Sequence, residues 1–124
     1  MDKDFIKLTI PSKPNYVGVV RLTTSSIGNE AKLSIDDIED IKVAISEACI
    51  NAMGRSEILN IEYELYKNKL VMFVENVSDE IDSSQENAKE KELGILIISS
   101  LMDQVEFTSR GIKMIKKIED GIDD

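Results

Sequence analysis

Residues 38–52 have the sequence Ile-Glu-Asp-Ile-Lys-Val-Ala-Ile-Ser-Glu-Ala-Cys-Ile-Asn-Ala, the clearest pattern in the chain. Apolar side chains recur along it every three or four residues, which is the spacing of one face of an α-helix. This stripe consists of Ile38, Ile41, Ile45, Ala48 and Ala52. Ser34 and Asp37 before it resemble a capping box, and Gly54 after it suits a helix end. We therefore predict an amphipathic helix between Ser34 and Gly54.

Weaker patterns on either side predict the other elements. Alternating or apolar runs bounded by turn residues predict strands, and a three- to four-residue apolar rhythm predicts helices. The predicted strands are 4–10, 58–66, 70–74, 105–109 and 112–118, and the predicted helices besides the central one are 15–30 and 93–102. This order is too irregular for a βαβ repeat, so it favours an α+β fold. We expect a two-layer sandwich of helices on one mixed, mainly antiparallel sheet.

The chain length predicts a single domain, over residues 1–118. Within it, residues 76–92 are highly polar and too long for a simple connection. Long loops in compact domains are usually functional lids or disordered segments, so we predict a lid-like loop there. Residues 119–124 form an acidic tail with little to bury.

The composition excludes several kinds of chemistry. Among 124 residues there is no histidine, so Ser-His-Asp triads, Cys-His pairs and imidazole metal sites are excluded. One cysteine cannot form an internal disulfide, and no apolar run approaches a membrane span, so we expect a cytoplasmic protein that does not enter membranes. The formal charge of −9 opposes direct binding to nucleic acid.

Glu47 and Asn51 are the first candidate site residues. They lie four residues apart and therefore on one side of the predicted helix, beside the apolar stripe. An asparagine oxygen can bind Mg²⁺, which needs only one or two protein oxygens alongside phosphates. A carboxylate one turn earlier could orient or deprotonate a hydroxyl group. The alternative is a solvated pair at the border of an amphipathic helix, and the spacing alone leaves both possibilities open.

Gly94 is the second candidate, because it lies at the start of the predicted helix 93–102, just after the polar segment. A glycine there allows the backbone to approach a phosphate, with the N–H groups of the helix start as donors. An ordinary glycine at a loop–helix junction is the alternative, since a single glycine has no motif specificity.

Two further features are predicted to be structural. Cys49 falls near the apolar stripe and is expected to be a small core residue. Lys113, Lys116 and Lys117 lie in the last predicted strand. We expect them to be solvated on an edge strand, where lysines oppose edge-to-edge pairing.

Taken together, these sequence features resemble those of the anti-sigma factor serine kinases. These belong to the histidine kinase-like ATPase superfamily, which has the Bergerat fold and includes gyrase and Hsp90. The similarity covers nearly the whole chain and is carried by residues 11–23, 38–52, 69–74 and 93–105. Residues 38–52 are the most specific, because the family's first ATP motif has Ser-Glu-Ala, two residues, then Asn-Ala.

The resemblance implies roles for four residues. Asn51 would be the Mg²⁺ ligand, and Glu47 the base that prepares a partner's serine for phosphoryl transfer from ATP. Gly94 would match a glycine of the phosphate-binding motif. Arg21 matches an arginine on the surface with which such proteins hold their partners. The family acts as a homodimer that binds a sigma factor and is displaced by an anti-anti-sigma protein, which it can phosphorylate on serine.

The sequence departs from the family where nucleotide should bind. After the strand that ends at residue 74, relatives have an Asp that accepts from the adenine amino group, and then a Gly. The corresponding residues here are Asn76 and Ser78, the two further candidates for nucleotide binding. The usual glycines of the phosphate motif are replaced by Lys91 and Glu92, next to Glu90. Carboxylates near a triphosphate repel it.

Three functional hypotheses follow from these observations. The first is an ATP-using serine kinase and anti-sigma factor. The second is a related protein that binds the same partners without ATP. The third is a dimerising α+β scaffold whose resemblance is only architectural.

Overall fold

The computed structural model describes residues 3–119, which form one five-stranded sheet with helices packed on it. The strands are β1 (Asp4–Pro11), β2 (Ile58–Leu65), β3 (Lys69–Glu75), β4 (Gln104–Phe107) and β5 (Gly111–Lys117). Their order across the sheet is β1-β2-β3-β5-β4, and each neighbouring pair is antiparallel. The predicted α+β fold is confirmed.

The expectation of a mixed sheet is wrong in detail. The connection from β3 to β4 contains a helix, which by itself would allow a parallel pair. The final hairpin, however, inserts β5 between these two strands, and β5 runs antiparallel to both. Of the predicted tail 119–124, all but Glu119 lies outside the described residues.

The helices are α1 (Val17–Glu30), α2 (Ile35–Ala52) and α3 (Ala88–Leu101), with a 3₁₀ turn at Pro14–Tyr16 before α1. α3 begins at Ala88, whereas the apolar rhythm of the sequence predicts a start at residue 93. Residues 88–92 are Ala-Lys-Glu-Lys-Glu, all strong helix formers, and three of them, Lys89, Glu90 and Glu92, are exposed. The irregular part of the predicted lid is therefore only residues 76–87.

α2 forms as predicted and occupies the middle of the helical layer, where it packs against both α1 and α3. The Ser34 hydroxyl accepts a hydrogen bond from the backbone N–H of Asp37 at 3.1 Å, so the predicted cap is present. Gly54 follows the helix with φ +89, a left-handed conformation that favours glycine.

The core lies between α2 and one face of the sheet. Its strand residues alternate along four of the strands, and they are Ile10, Leu59, Ile61, Tyr63, Leu70, Met72, Val74, Ile112 and Met114. α1 contributes one buried polar contact, in which the Thr24 and Tyr63 hydroxyl oxygens lie 2.7 Å apart. This bond satisfies the polar tip of the largest fully buried side chain.

The prediction of an edge strand bearing solvated lysines is wrong for β5 and for Lys116. β5 is an inner strand between β3 and β4, and Lys116 is only 7% exposed. Its Nζ donates to the Leu101 carbonyl at 2.8 Å and lies 3.6 Å from Asp37 and 3.8 Å from Asp40. Lys116 thus ties β5 to α2 and to the end of α3.

Within residues 3–119, no helix combines the length and the apolar character needed to cross a membrane.

Candidate functional site

A cavity of about 280 Å³ between α2 and α3 brings three of the predicted site residues together. α2 contributes Glu47 and Asn51 to its wall, and α3 contributes Glu90, Lys91 and Gly94. Glu47 is half-buried, and Asn51 is buried with an exposed fraction of 6%. The pair is therefore oriented into the cleft between the two helices.

Gly94 does not lie at the helix start, where the sequence predicted it. It is in the second turn of α3, so the N–H groups that follow it belong to the helix interior. Its lack of a side chain has a different consequence, because a Cβ atom at this position would lie 2.9 Å from Glu47 Oε1. Gly94 therefore makes room for the Glu47 carboxylate between the two helices.

Asn51 holds the beginning of the irregular segment against α2. Its side-chain NH₂ donates to the Ser78 carbonyl at 3.1 Å, and its Oδ1 accepts from the Ser78 backbone N–H at 3.2 Å. Both polar atoms of the amide are thus satisfied by one residue of the loop. The oxygen expected to bind magnesium is the one that accepts the Ser78 hydrogen bond.

Asn76 adopts a left-handed backbone conformation with φ +69 at the end of β3. Its N–H donates to the Arg110 carbonyl at 2.8 Å, and its carbonyl accepts from Arg55 Nη1 at 3.0 Å. Asparagine tolerates this conformation better than most residues. The Asn76 side chain is exposed and lines neither cavity of the site.

A second cavity, of about 450 Å³, lies beside the first and under the irregular segment. Its wall includes Arg55, Ser78, Glu80, Asp82 and Lys91. Lys91 therefore lines both cavities. Neither Arg55 nor Lys91 is among the predicted site residues, although the spacing of Lys91 and Ile98 around Gly94 would have placed Lys91 on the buried side of α3.

Arg21 lies on the other flank of α2, away from the cavities. Its Nη1 donates to Ser46 Oγ at 2.8 Å and lies 3.4 Å from the Lys42 carbonyl. Ser46 Oγ also donates to the Lys42 carbonyl, at 2.7 Å. Arg21 is therefore positioned by α2 at the junction of α1 and α2, separate from the Glu47–Asn51 site.

Cys49 is fully buried in the core, as predicted. Burial raises the pKa of its thiol to about 12. Because the thiolate is the reactive form, this cysteine is not a nucleophile near neutral pH.

Comparison with known proteins places these observations in a family. Residues 10–116 match the histidine kinase-like ATPase domain. The serine-protein kinase RsbW of Bacillus velezensis is 32% identical over 126 positions, which cover 96% of this chain and 76% of the relative. RsbW of Halalkalibacterium halodurans is 36% identical over 119 positions, covering 82% of this chain and 74% of the relative. RsbW of Bacillus subtilis is 30% identical, over 96% of this chain and 76% of the relative.

The chain belongs to the anti-sigma factor serine kinase family. This confirms the family predicted from residues 38–52 and removes the hypothesis of a merely architectural resemblance. Membership of a histidine kinase-like ATPase family also implies that the fold binds ATP.

The side chains that line the cavity determine whether it could hold a magnesium–ATP complex. Within the described residues no group of three or more Cys, Asp or Glu side chains could hold a metal ion. A magnesium ion would therefore take most of its ligands from phosphate and water, which is its usual preference. The amide oxygen of Asn51 and the ammonium group of Lys91 suit this complex, provided that the Asn51–Ser78 hydrogen bond opens.

The acidic side chains at the two cavities differ from those that the sequence suggested, since Glu47 also lines the first cavity and Glu80 and Asp82 line the second. Glu90 lines the wall of the first, but Glu92 is exposed and lies outside both walls. Successive residues of a helix point in different directions, so Glu92 faces away from the cavity that Lys91 lines. Of the two carboxylates predicted to repel phosphates, Glu90 therefore lines the cavity and Glu92 does not.

Proposed function

We propose that this protein is an anti-sigma factor that binds a sigma factor and an anti-anti-sigma protein, and that it phosphorylates a serine of the latter with ATP. The observation that supports this most strongly is the Glu47–Asn51 pair, which faces a cleft in a chain of the serine kinase family. The relatives are themselves named serine-protein kinases.

The proposed roles follow from the chemistry of each side chain. Asn51 would hold a magnesium ion through Oδ1 once its hydrogen bonds to Ser78 open, and Glu47 would accept the proton of the partner's serine hydroxyl. ATP with its magnesium ion would supply the γ-phosphoryl group, with ADP as the leaving group, and the magnesium ion would neutralise the charge of the phosphates. Gly94 keeps space for the Glu47 carboxylate, while Ser78, in the wall of the larger cavity, contacts the base side of the nucleotide. Asn76 does so after its side chain, which lines neither cavity here, turns toward the nucleotide.

The partner surface is proposed to include Arg21, which α2 holds in place at the α1–α2 junction. The charge of −9 suits a basic, DNA-binding partner. We propose a cytoplasmic site of action. We also propose a homodimer, because α1 and the edge strand β1 leave Ile6, Val19 and Leu22 exposed. Light scattering that gave the mass of one chain at micromolar concentration would contradict the dimer.

A second candidate function is partner binding without ATP. The observation that favours it is the Asn51–Ser78 contact, which occupies the magnesium ligand, together with Glu90 in the cavity wall.

Titration with ATP and Mg²⁺ separates the two candidates. The kinase proposal expects a saturable binding isotherm and a rise in melting temperature with nucleotide concentration, since a ligand that binds the native state stabilises it. No heat and no thermal shift at millimolar ATP would favour the second candidate. Co-elution of the purified chain with a sigma factor or an anti-anti-sigma protein tests partner binding in either case.

A further inference from the structure

Lys91 occupies an unusual position between the two cavities of the site. It is half-buried on α3 and belongs to both walls, that of Glu47 and Asn51 and that of Arg55 and Ser78. Among the described residues it has no ion-pair partner within 4.0 Å. A lysine with no carboxylate partner at the junction of two cavities is available to an anionic ligand.

The charges around Lys91 make it the main cation of this site. In the smaller cavity it is the one basic residue of the described wall, which also contains the carboxylates of Glu47 on α2 and of Glu90 on α3. In the larger cavity the other cation is Arg55, whose Nη1 donates to the Asn76 carbonyl, and the acidic residues of the wall are Glu80 and Asp82. A ligand that extends from one cavity into the other passes Lys91.

We propose that Lys91 is a phosphate-binding residue of the nucleotide site. Its ammonium group neutralises the polyphosphate of a nucleoside triphosphate, in place of the backbone donors that a glycine-rich turn would provide. α3 is helical through residues 88–101, so its backbone N–H groups around Gly94 are not free for this purpose. The inference rests on the proposed ATP-dependent function and adds the residue that compensates for the acidic wall.

The chain offers a matched control in Lys89. It lies two residues earlier on the same helix, has the same charge and is exposed, and it belongs to neither cavity wall. Lys89→Gln changes the net charge by the same amount as Lys91→Gln. Any effect of overall charge on nucleotide binding is therefore common to both variants.

Isothermal titration with ATP and with adenosine, each in the presence of Mg²⁺, tests the proposal on the wild type and both variants. We expect Lys91→Gln to weaken ATP binding about 10-fold or more, the size of one charge-assisted hydrogen bond. Adenosine binding should change less than about twofold, and Lys91→Arg should restore ATP binding. Lys89→Gln should behave as the wild type.

Equal ATP affinity of the wild type and Lys91→Gln would overturn this inference and leave the proposed function intact. An equal loss of ATP and adenosine affinity would also overturn it, since it would indicate a general distortion of the site. Absence of ATP binding by the wild type would overturn both the inference and the ATP-dependent function.

Discussion

The contact between Glu47 and Gly94 sets the geometry of the proposed site at the level of single residues. The Glu47 carboxylate occupies space that any side chain at position 94 would require, since a Cβ there would lie 2.9 Å from Oε1. The carboxylate is the end of a flexible side chain, so it can move where backbone could not. A substitution at Gly94 is therefore expected to disturb the site more than the fold.

Gly94→Ala should reduce serine phosphorylation by about 10²-fold, the loss typical of a catalytic group displaced by about 1 Å. Stability should change by less than about 1 kcal/mol, because the gain of an alanine in a helix offsets the movement of Glu47. Phosphotransfer assays and urea unfolding measure the two effects separately.

Gly18→Ala is the matched control, since Gly18 lies in α1 and a Cβ added there would meet no other atom within 4 Å. It should leave phosphotransfer unchanged. A loss of activity in Gly18→Ala equal to that in Gly94→Ala would contradict the role of Gly94 as space for Glu47.

Cys49 makes stability depend on pH in the alkaline range. In the unfolded chain the thiol pKa is 9.0, whereas burial raises it to about 12 in the folded protein. The unfolded state therefore releases this proton first, and stability falls as pH rises above 9, by about 1.4 kcal/mol per unit for this group. Below pH 9 the thiol is protonated in both states and contributes no pH dependence.

Cys49→Ala should remove this contribution. Urea unfolding at pH 8 and pH 10 should show that the wild type loses about 1.4 kcal/mol more than the variant does between the two conditions. If the wild type and Cys49→Ala lost the same stability between pH 8 and pH 10, the buried thiol would not be the cause of the pH dependence.

The sequence predicted the direction of a side chain where the helix period determines it. It did not predict hydrogen bonds to residues that are distant along the chain. The position of Glu47 and Asn51 beside the apolar stripe followed from their spacing of four residues. The reciprocal hydrogen bonds between Asn51 and Ser78 join residues 27 positions apart. No local pattern specifies such a pair, so only the folded structure could identify it.

α3 shows the same limit at the level of secondary structure. The polar composition of its first turn is typical of a loop, yet the helix propensity of the same residues decides their structure. This early start of the helix affects the proposed site, because the N-terminus of α3 lies at Ala88, six residues before Gly94. Lys91 and Glu90 are thereby carried on a helix, where their directions are fixed, and not on an irregular loop.

Lys116 links three elements, and its replacement should destabilise the fold. Lys116→Met removes the hydrogen bond to the Leu101 carbonyl and leaves Asp37 and Asp40 without their nearby cation. We expect a loss of about 1–3 kcal/mol, the usual cost of an unsatisfied buried polar group. Urea unfolding measures it.

Lys117→Met is the control, because this neighbouring lysine side chain is exposed on the same strand. It should change stability by less than about 0.5 kcal/mol. Equal stability of Lys116→Met and the wild type would show that the buried lysine does not hold the elements together.

The wrong prediction for Lys116 has its cause in sheet topology. A strand near the end of a chain is commonly at an edge, and alternation alone does not give strand order. The β4–β5 hairpin folds back so that its second strand pairs with β3. The lysine then points into the layer between sheet and helices, where it needs the partners that α2 and α3 supply.

At the scale of the whole molecule, the sequence predicted the fold and the family better than it predicted whether the site is open to a ligand. The α+β class followed from the irregular element order, and the family from the motif around Glu47 and Asn51. The openness of the site depends on a few long-range hydrogen bonds and on the start of α3. These are small differences in free energy that composition and periodicity do not determine.

Glu47 as the base for phosphoryl transfer is the centre of the proposed mechanism. Transfer of radiolabelled phosphate from ATP to a serine of the cognate anti-anti-sigma protein measures this role directly, with Glu47→Gln as the test. Glu39→Gln is its control, since Glu39 is an exposed carboxylate on the same helix. We predict that Glu47→Gln binds ATP as the wild type does but loses transfer by at least about 10²-fold, while Glu39→Gln retains it. Undiminished transfer by Glu47→Gln, or loss of ATP binding in that variant, would contradict the proposed mechanism.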